Sequence, residues 1–139
     1  MCHLYIILSL LVISQKPSPL SSFQWKNRII IVSGENSLIN KQLDIYKKVS
    51  DELLDRDLII FYSYNQKIHS YPDKKPLSFD WKDLKMYFNL PEKGFYSILI
   101  GKDGSIKQRN HSIISHEIYF DLIDSMPMRK REMKNARNH

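Results

Sequence analysis

The chain has 139 residues, a single cysteine (Cys2) and a formal charge of +6 at pH 7. This length accommodates one domain with a hydrophobic core, and 42% hydrophobic with 26% charged residues excludes a disordered or fibrous protein. One thiol excludes an intramolecular disulfide, a CxxC redox pair and a cysteine-rich zinc site.

An uncharged apolar run occupies residues 4–13. It is too short for a transmembrane helix, which needs about 20 residues, but it has the length of a secretory signal sequence. We predict a signal peptide over residues 1–14, a secreted or periplasmic location, and no stable membrane span after cleavage. No Lys or Arg precedes the run, so a signal anchor and a buried strand remain as alternatives. Cleavage would remove Cys2 and leave a mature chain without a thiol.

Residues 15–22 form a Pro- and Ser-rich linker, and residues 23–128 form the predicted domain. In chain order we first predict a strand over 28–33, a helix with apolar positions from 39 to 53, and a strand over 58–64. A polar loop over 66–78 and a helix over 80–88 follow. We then predict strands over 95–100 and 105–109, and a last helix that Ser115 caps and Pro127 stops or kinks. An Asp-Gly pair between the last two strands is typical of a hairpin.

The first two predicted strands are apolar throughout, which indicates a parallel βαβ unit that is covered on both faces. The hairpin adds an antiparallel pair. The order β-α-β-α-β-β-α therefore predicts an α/β fold with a four-stranded mixed sheet and helices on both faces. This is the thioredoxin-like arrangement.

Four stretches together resemble one family: residues 25–28 (WKNR), 56–57 (RD), 99–104 (LIGKDG) with Lys107 beyond them, and 123–132 (IDSMPMRKRE). The set resembles the DUDES-type domain of unknown function, which occurs in vertebrate extracellular sushi-repeat proteins and their matrix relatives. Short exported bacterial proteins carry this domain alone. The resemblance covers roughly residues 23–133. It implies a thioredoxin-like fold, distantly similar to peroxiredoxins, in a secreted or periplasmic setting, and it implies no established catalytic activity.

Thioredoxin-like enzymes carry the nucleophilic cysteine at the turn from the first strand to the first helix. Here that turn contains Gly34, Glu35, Asn36 and Ser37, and Gly94 or Phe95 stands at the position of the customary proline. The resemblance therefore carries over no redox residue, and we predict no catalytic residue. A nucleophilic serine needs an activating base, and no His or Lys is near Ser37 in the sequence. We expect Asn36 or Ser37 to cap the helix instead.

No cofactor and no metal site are predicted. The five histidines show no HxH or HExxH arrangement, and the glycine-containing turn at residues 101–104 lacks the GxxxxGK[ST] spacing of a phosphate-binding loop. Lys102 and Asp103 in this turn are candidate surface contacts. Asp124 is predicted to pair with Arg129 or Arg131 and to hold the C-terminal segment against the last helix.

Residues 129–139 form a basic C-terminal segment with a net charge of +4, so most of the excess charge is local. The segment is either a frayed, solubilising terminus or a binding element for anionic polymers and surfaces. It contains no aromatic residue, and export also argues against a nucleic-acid partner.

We predict an exported binding or structural module whose partner is a protein or an anionic surface or polymer. The alternatives are an enzyme that uses the thioredoxin-like cleft for non-thiol chemistry, and an accessory to the thiol redox chemistry of a partner.

Overall fold

The computed structural model describes residues 16–74 and 77–138. Within these residues one sheet contains five strands in the order β3-β2-β1-β4-β5. The strands are β1 (Arg28–Ser33), β2 (Leu58–Tyr64), β3 (Lys67–Tyr71), β4 (Tyr96–Ile100) and β5 (Ile106–Asn110). β1 and β2 are parallel, and the other neighbours are antiparallel. The α/β class and the mixed sheet are confirmed, and the strand count is corrected from four to five.

The additional strand, β3, lies in the segment that was predicted as a polar loop. β2 and β3 form a hairpin through Asn65 and Gln66, whose φ angles are 50° and 62°. Positive φ at both central residues is typical of a type I′ turn. Glycine usually occupies the second of these positions. Because Gln66 stands there instead, the sequence lacks the usual signal of a hairpin.

Five helices join these strands: α1 (Asn36–Lys47), α2 (Ser50–Asp55), α3 (Trp81–Phe88), α4 (His116–Asp124) and α5 (Pro127–Arg137), all within the described residues. The predicted first helix is divided in two, because the backbone breaks at Val49 before α2 begins. Ser115 caps α4 through its hydroxyl, which accepts from the Glu117 amide at 3.3 Å. Pro127 is the first residue of α5, a position where its missing N–H costs nothing, so it ends one helix and begins the next.

The helix caps differ from the prediction at the start of α1. Glu35 is the N-cap residue and its side chain makes no capping hydrogen bond, while Asn36 and Ser37 already lie inside the helix. A reciprocal capping box starts α3, where Asp80 and Asp83 each accept a backbone N–H of the other at 2.9 Å.

The sheet is covered on both faces. Ile29 and Ile31 of β1 pack with α3, whereas Ile30 and Val32 pack with α1, α2 and α4. Successive residues of a strand point to opposite faces, so the continuous apolar run of β1 supplies both halves of the core.

The domain extends beyond its predicted ends. Leu20, within the predicted linker, is only 5% exposed and belongs to the core beside α3. Residues 129–137 of the basic C-terminal segment lie in α5 and do not form a separate extended tail. The predicted signal peptide and Cys2 lie outside the described residues. No helix in the described part of the chain combines the length and apolar character needed to cross a membrane.

Candidate functional site

Charged residues from all four family-resembling stretches meet at the end of the sheet where β1 and β2 begin and β4 ends. Arg28, the first residue of β1, is only 1% exposed. Its guanidinium donates to both carboxylate oxygens of Glu132, at 3.1 and 3.3 Å, and to the carbonyl oxygen of Arg56 at 3.0 Å. A bidentate, charge-assisted pair of this kind fixes orientation as well as charge. Glu132 thereby joins the middle of α5 to the central strand.

The same carboxylate also binds the turn between β4 and β5. The Lys102 ammonium lies 2.6 Å from Glu132 Oε1 and 2.9 Å from Asp57 Oδ2. Lys102 therefore links three segments: the turn after β4, the residue before β2, and α5.

A second group of ion pairs centres on Asp124, at the end of α4. Arg56 donates to both of its carboxylate oxygens, at 3.1 and 2.7 Å, and Arg129 donates to one of them at 3.2 Å. The Arg129 side chain, 5% exposed, also reaches Asp55 at 2.5 Å. The Arg56 guanidinium lies 4.4 Å from the centre of the Phe120 ring. Asp124 thus pairs with Arg129, as one of the two predicted alternatives stated, and Arg131 takes no part.

We call these eight side chains the α5 anchor: the cations Arg28, Arg56, Lys102 and Arg129 with the anions Asp55, Asp57, Asp124 and Glu132. The two signs are equal in number, so the anchor is electrically neutral. It satisfies the buried guanidiniums of Arg28 and Arg129, which would be very costly without partners.

The opposite side of α5 carries the basic face, defined as Lys130, Arg131, Lys134 and Arg137. All four side chains are exposed, and none forms an ion pair with another described residue. Lys130, Lys134 and Arg137 follow the spacing of one helical stripe, and Arg131 lies one turn before Lys134. Glu132, the only acidic residue of α5, belongs to the anchor, so the positive charge of this face has no counterion on its own helix.

Acid should weaken the α5 anchor. Burial raises the pKa of both Asp124 and Glu132. Hydrogen bonds from Arg56 and Arg129 to Asp124, and from Arg28 and Lys102 to Glu132, outweigh this effect. Both pKa values therefore lie below their ordinary 3.8 and 4.5. Carboxylates with a depressed pKa contribute stability above the unfolded value and lose it as the pH falls through the folded value. The free energy of unfolding, measured in urea, should therefore decrease when the pH is lowered below about 4.5.

The matched variant for this experiment is Glu132→Gln. It removes one of the two titrating groups, so its free energy of unfolding should change less between about pH 5 and about pH 3 than that of the wild type. Equal pH dependence in the two proteins would contradict the assignment of Glu132 to the anchor.

The other candidate residue of the β4–β5 turn has a local role. Asp103 accepts from the backbone N–H and the hydroxyl of Ser105, at 3.0 and 2.8 Å, and from Lys107 at 2.9 Å. These bonds lower its pKa against the effect of burial and close the predicted hairpin turn. Asp103 is thus a turn residue, and its neighbour Lys102 belongs to the anchor.

The Gly34–Ser37 turn lies at the opposite end of the sheet from the α5 anchor. Gly34 has φ of +147°, and a Cβ atom there would lie 3.0 Å from the Cα of Phe95. Glycine is therefore needed at this turn for both conformation and space. Asn36 donates across the opening to Asn65 at 3.3 Å, instead of capping α1.

The polar side chains at this end offer hydrogen bonds rather than an activated nucleophile. The hydroxyls of Ser33 and Ser63 bond to each other at 3.2 Å. Burial raises the pKa of Tyr96 to about 12, so its phenol stays protonated at neutral pH. Among the described residues, no group of three or more His, Cys, Asp or Glu side chains is placed to hold a metal ion.

Sequence reasoning named Lys102, Asp124 and Arg129 as candidates. It did not name their partners Arg28, Arg56 and Glu132 as candidate site residues. The available signal was the set of family-resembling stretches, since each contributes at least one charge to the anchor. Arg28 gives a second signal, because a charged residue that begins an apolar, centrally placed strand needs a partner.

Comparisons with known proteins identify the family of the chain. The profile of a domain of unknown function, DUF4174, matches residues 19–132. The chain is 28% identical over 135 residues to coiled-coil domain-containing protein 80 of Danio rerio, covering 82% of this chain and 15% of that protein. It therefore spans less than a sixth of the curated relative. The crystal structure of the reduced 2-Cys peroxiredoxin of Plasmodium vivax superposes with a TM-score of 0.54 at 13% identity, over 81% of this chain and 84% of that one.

The peroxiredoxin likeness shows a thioredoxin-like fold and nothing beyond the fold. The relative from Danio rerio is consistent with a shared domain inside a much longer protein. Because the profile matches most of the chain, from Leu20 in the core to Glu132 in the anchor, the protein belongs to the DUF4174 family of domains of unknown function.

Proposed function

We propose that this chain is an exported, non-redox binding module that holds an anionic polymer against the basic face of α5. One observation carries the proposal: the only acidic residue of α5 is used in the anchor, while four basic side chains on the same helix remain exposed. The neutral α5 anchor fixes one side of the helix, and the basic face on the other side exposes positive charge to solvent.

The spacing of the basic face suits a polymer with regularly placed negative groups. A helix rises about 1.5 Å per residue, so the face extends about 10 Å from Lys130 to Arg137. Such a patch attracts polyanions and gains affinity by releasing their condensed counterions. Because the helix is already docked, binding does not have to order a flexible tail first.

The non-redox part of the proposal is supported by the β1–α1 turn. Gly34, Glu35, Asn36 and Ser37 stand where thioredoxin-like enzymes carry their nucleophile, and the single cysteine of the chain is Cys2. The apolar run at residues 4–13 supports export, and Cys2 would leave with a cleaved leader.

Retention on immobilised heparin tests the function. The variant K130Q/R131Q/K134Q/R137Q should elute at a clearly lower NaCl concentration than the wild type. The dependence of the logarithm of affinity on the logarithm of salt should weaken by about 3, as expected for the loss of four cationic contacts.

The matched control removes four exposed lysines from other parts of the surface, K41Q/K48Q/K67Q/K93Q, with the same change in net charge. It should elute close to the wild type. If both variants elute together, retention follows net charge alone and the proposed role of α5 is wrong.

A further inference from the structure

A second surface with different chemistry lies at the other end of the sheet. A groove of about 1050 Å³ opens where β1 and β2 end, and it is lined by Gly34 and Asn36 after β1 and by Ser63 and Asn65 at and after β2. α1 packs on one face of the sheet and α3 on the other, so the groove lies where the chain diverges to opposite faces. Open α/β sheets bind their ligands at such points, beyond the carboxyl ends of parallel strands.

Four residues with amide side chains contribute to the rim of this groove. Asn36, Asn65, Gln66 and Asn89 all line it and all are exposed. Within the described part of the chain, the only hydrogen bond that these four amide groups make is the one from Asn36 to Asn65. Each amide group is both a hydrogen-bond donor and an acceptor, so the rim offers free donors and free acceptors to a ligand.

The charges of the groove do not favour an anion. Lys85 is paired with Glu92 at 3.2 Å, and Glu35 stands at the entrance as the N-cap residue of α1. Asp80 adds a further carboxylate, so the acidic side chains of the lining outnumber Lys82 and Lys85. This groove therefore differs in ligand class from the basic face of α5.

The apolar part of the lining is small. It consists of Trp81, Met86 and Leu90 on and after α3, with the Met86 side chain 69% exposed. This area suits contact with a few C–H groups and not the burial of a lipid chain. A peptide added as a strand needs a free sheet edge, whereas the groove lies across strand ends.

We infer that this groove binds an uncharged, hydroxyl-rich ligand, a short segment of neutral saccharide. The amides of Asn36, Asn65 and Gln66 would donate to and accept from neighbouring hydroxyls, and the Met86 side chain would lie against a C–H face of the sugar. This inference is independent of the proposed polyanion site, because the two surfaces lie at opposite ends of the sheet and share no residue.

Titration of the ¹⁵N-labelled full chain with maltotriose, cellotriose and N,N′,N″-triacetylchitotriose tests the inference by NMR. At least one of these neutral trisaccharides should shift the backbone amides of residues 34–36, 65–66 and 85–89 in a saturable manner. The amides of α5 should not move. Absence of saturable groove shifts with all three sugars at millimolar concentration overturns the inference, and so does an extended peptide that shifts these amides when the sugars do not.

The variant Asn36→Ala/Gln66→Gly removes two rim amides, and glycine accepts the φ of 62° at position 66 without strain. It should weaken saccharide binding by about tenfold or more. Asn135→Ala, which removes an exposed amide from α5, is the matched control and should leave the affinity unchanged. Equal affinity in the rim variant and the control would place the saccharide elsewhere.

Discussion

Glu132→Ala should lower the free energy of unfolding by about 3 kcal/mol, measured by urea denaturation at neutral pH. The substitution leaves the Arg28 guanidinium buried, with a side chain only 2% exposed, and without its carboxylate. Removing one partner of a buried ion pair costs about 3–5 kcal/mol, and the partial exposure of Glu132 places the effect at the lower end of that range.

Two further variants separate this effect from general loss of charge. Glu92→Ala breaks the exposed pair with Lys85 and should cost no more than about 0.5 kcal/mol. The double variant Arg28→Met/Glu132→Met replaces both charges with apolar side chains and should recover much of the lost stability. If Glu132→Ala costs as little as Glu92→Ala, the ion pairs of Glu132 contribute nothing to the stability of the fold.

Phe61→Ala should have a still larger effect, lowering the free energy of unfolding by about 4 kcal/mol. Phe61 of β2 is fully buried. Its ring contacts those of Phe23 and Phe79 edge-to-face, with centroids 5.4 and 5.5 Å away. Truncation would lose the buried area and these aromatic contacts, and it would leave a cavity between the sheet and the segments that precede β1 and α3.

The control for this experiment is Tyr64→Ala on the same strand. Tyr64 is 36% exposed, so its removal should cost less than about 1 kcal/mol. Similar losses for both variants in urea denaturation would show that the Phe23–Phe61–Phe79 contacts do not hold these segments to the sheet.

The sequence supports most of the fold because its apolar runs are unambiguous. β1 and β2 read as fully buried strands, and each has a helical layer on both sides in the structure. The error at β3 has a local cause. Only Ser70 of that edge strand is buried, and the strand lacks an apolar run. Its turn carries Gln66 where glycine would have indicated a hairpin.

The candidate site was predictable only in part, because its partners are far apart in the sequence. Arg28 and Glu132 are separated by 104 positions, and Arg129 and Asp55 by 74. A charge run such as residues 129–131 has the same appearance whether it is solvated or docked. Only the contacts of α5 with α2 and α4 distinguish Arg129, which is buried, from Arg131, which is exposed.

This distinction changes the meaning of the basic C-terminal segment. Arg129 and Glu132 face the domain and form ion pairs with oppositely charged residues of the α5 anchor. The other cations of α5 form the basic face, whose geometry the helix defines. A frayed tail would present the same net charge without that geometry.

Hydrogen–deuterium exchange of the backbone amides in residues 128–137 tests the central claim most directly. An isolated helix of 11 residues is marginal in water, so protection of α5 requires docking through the anchor. We predict that the interior amides of α5 exchange far more slowly than unstructured peptide at neutral pH, and that Glu132→Ala selectively removes this protection. Exchange of the whole segment at the rate of an unstructured peptide in the wild type would contradict the account.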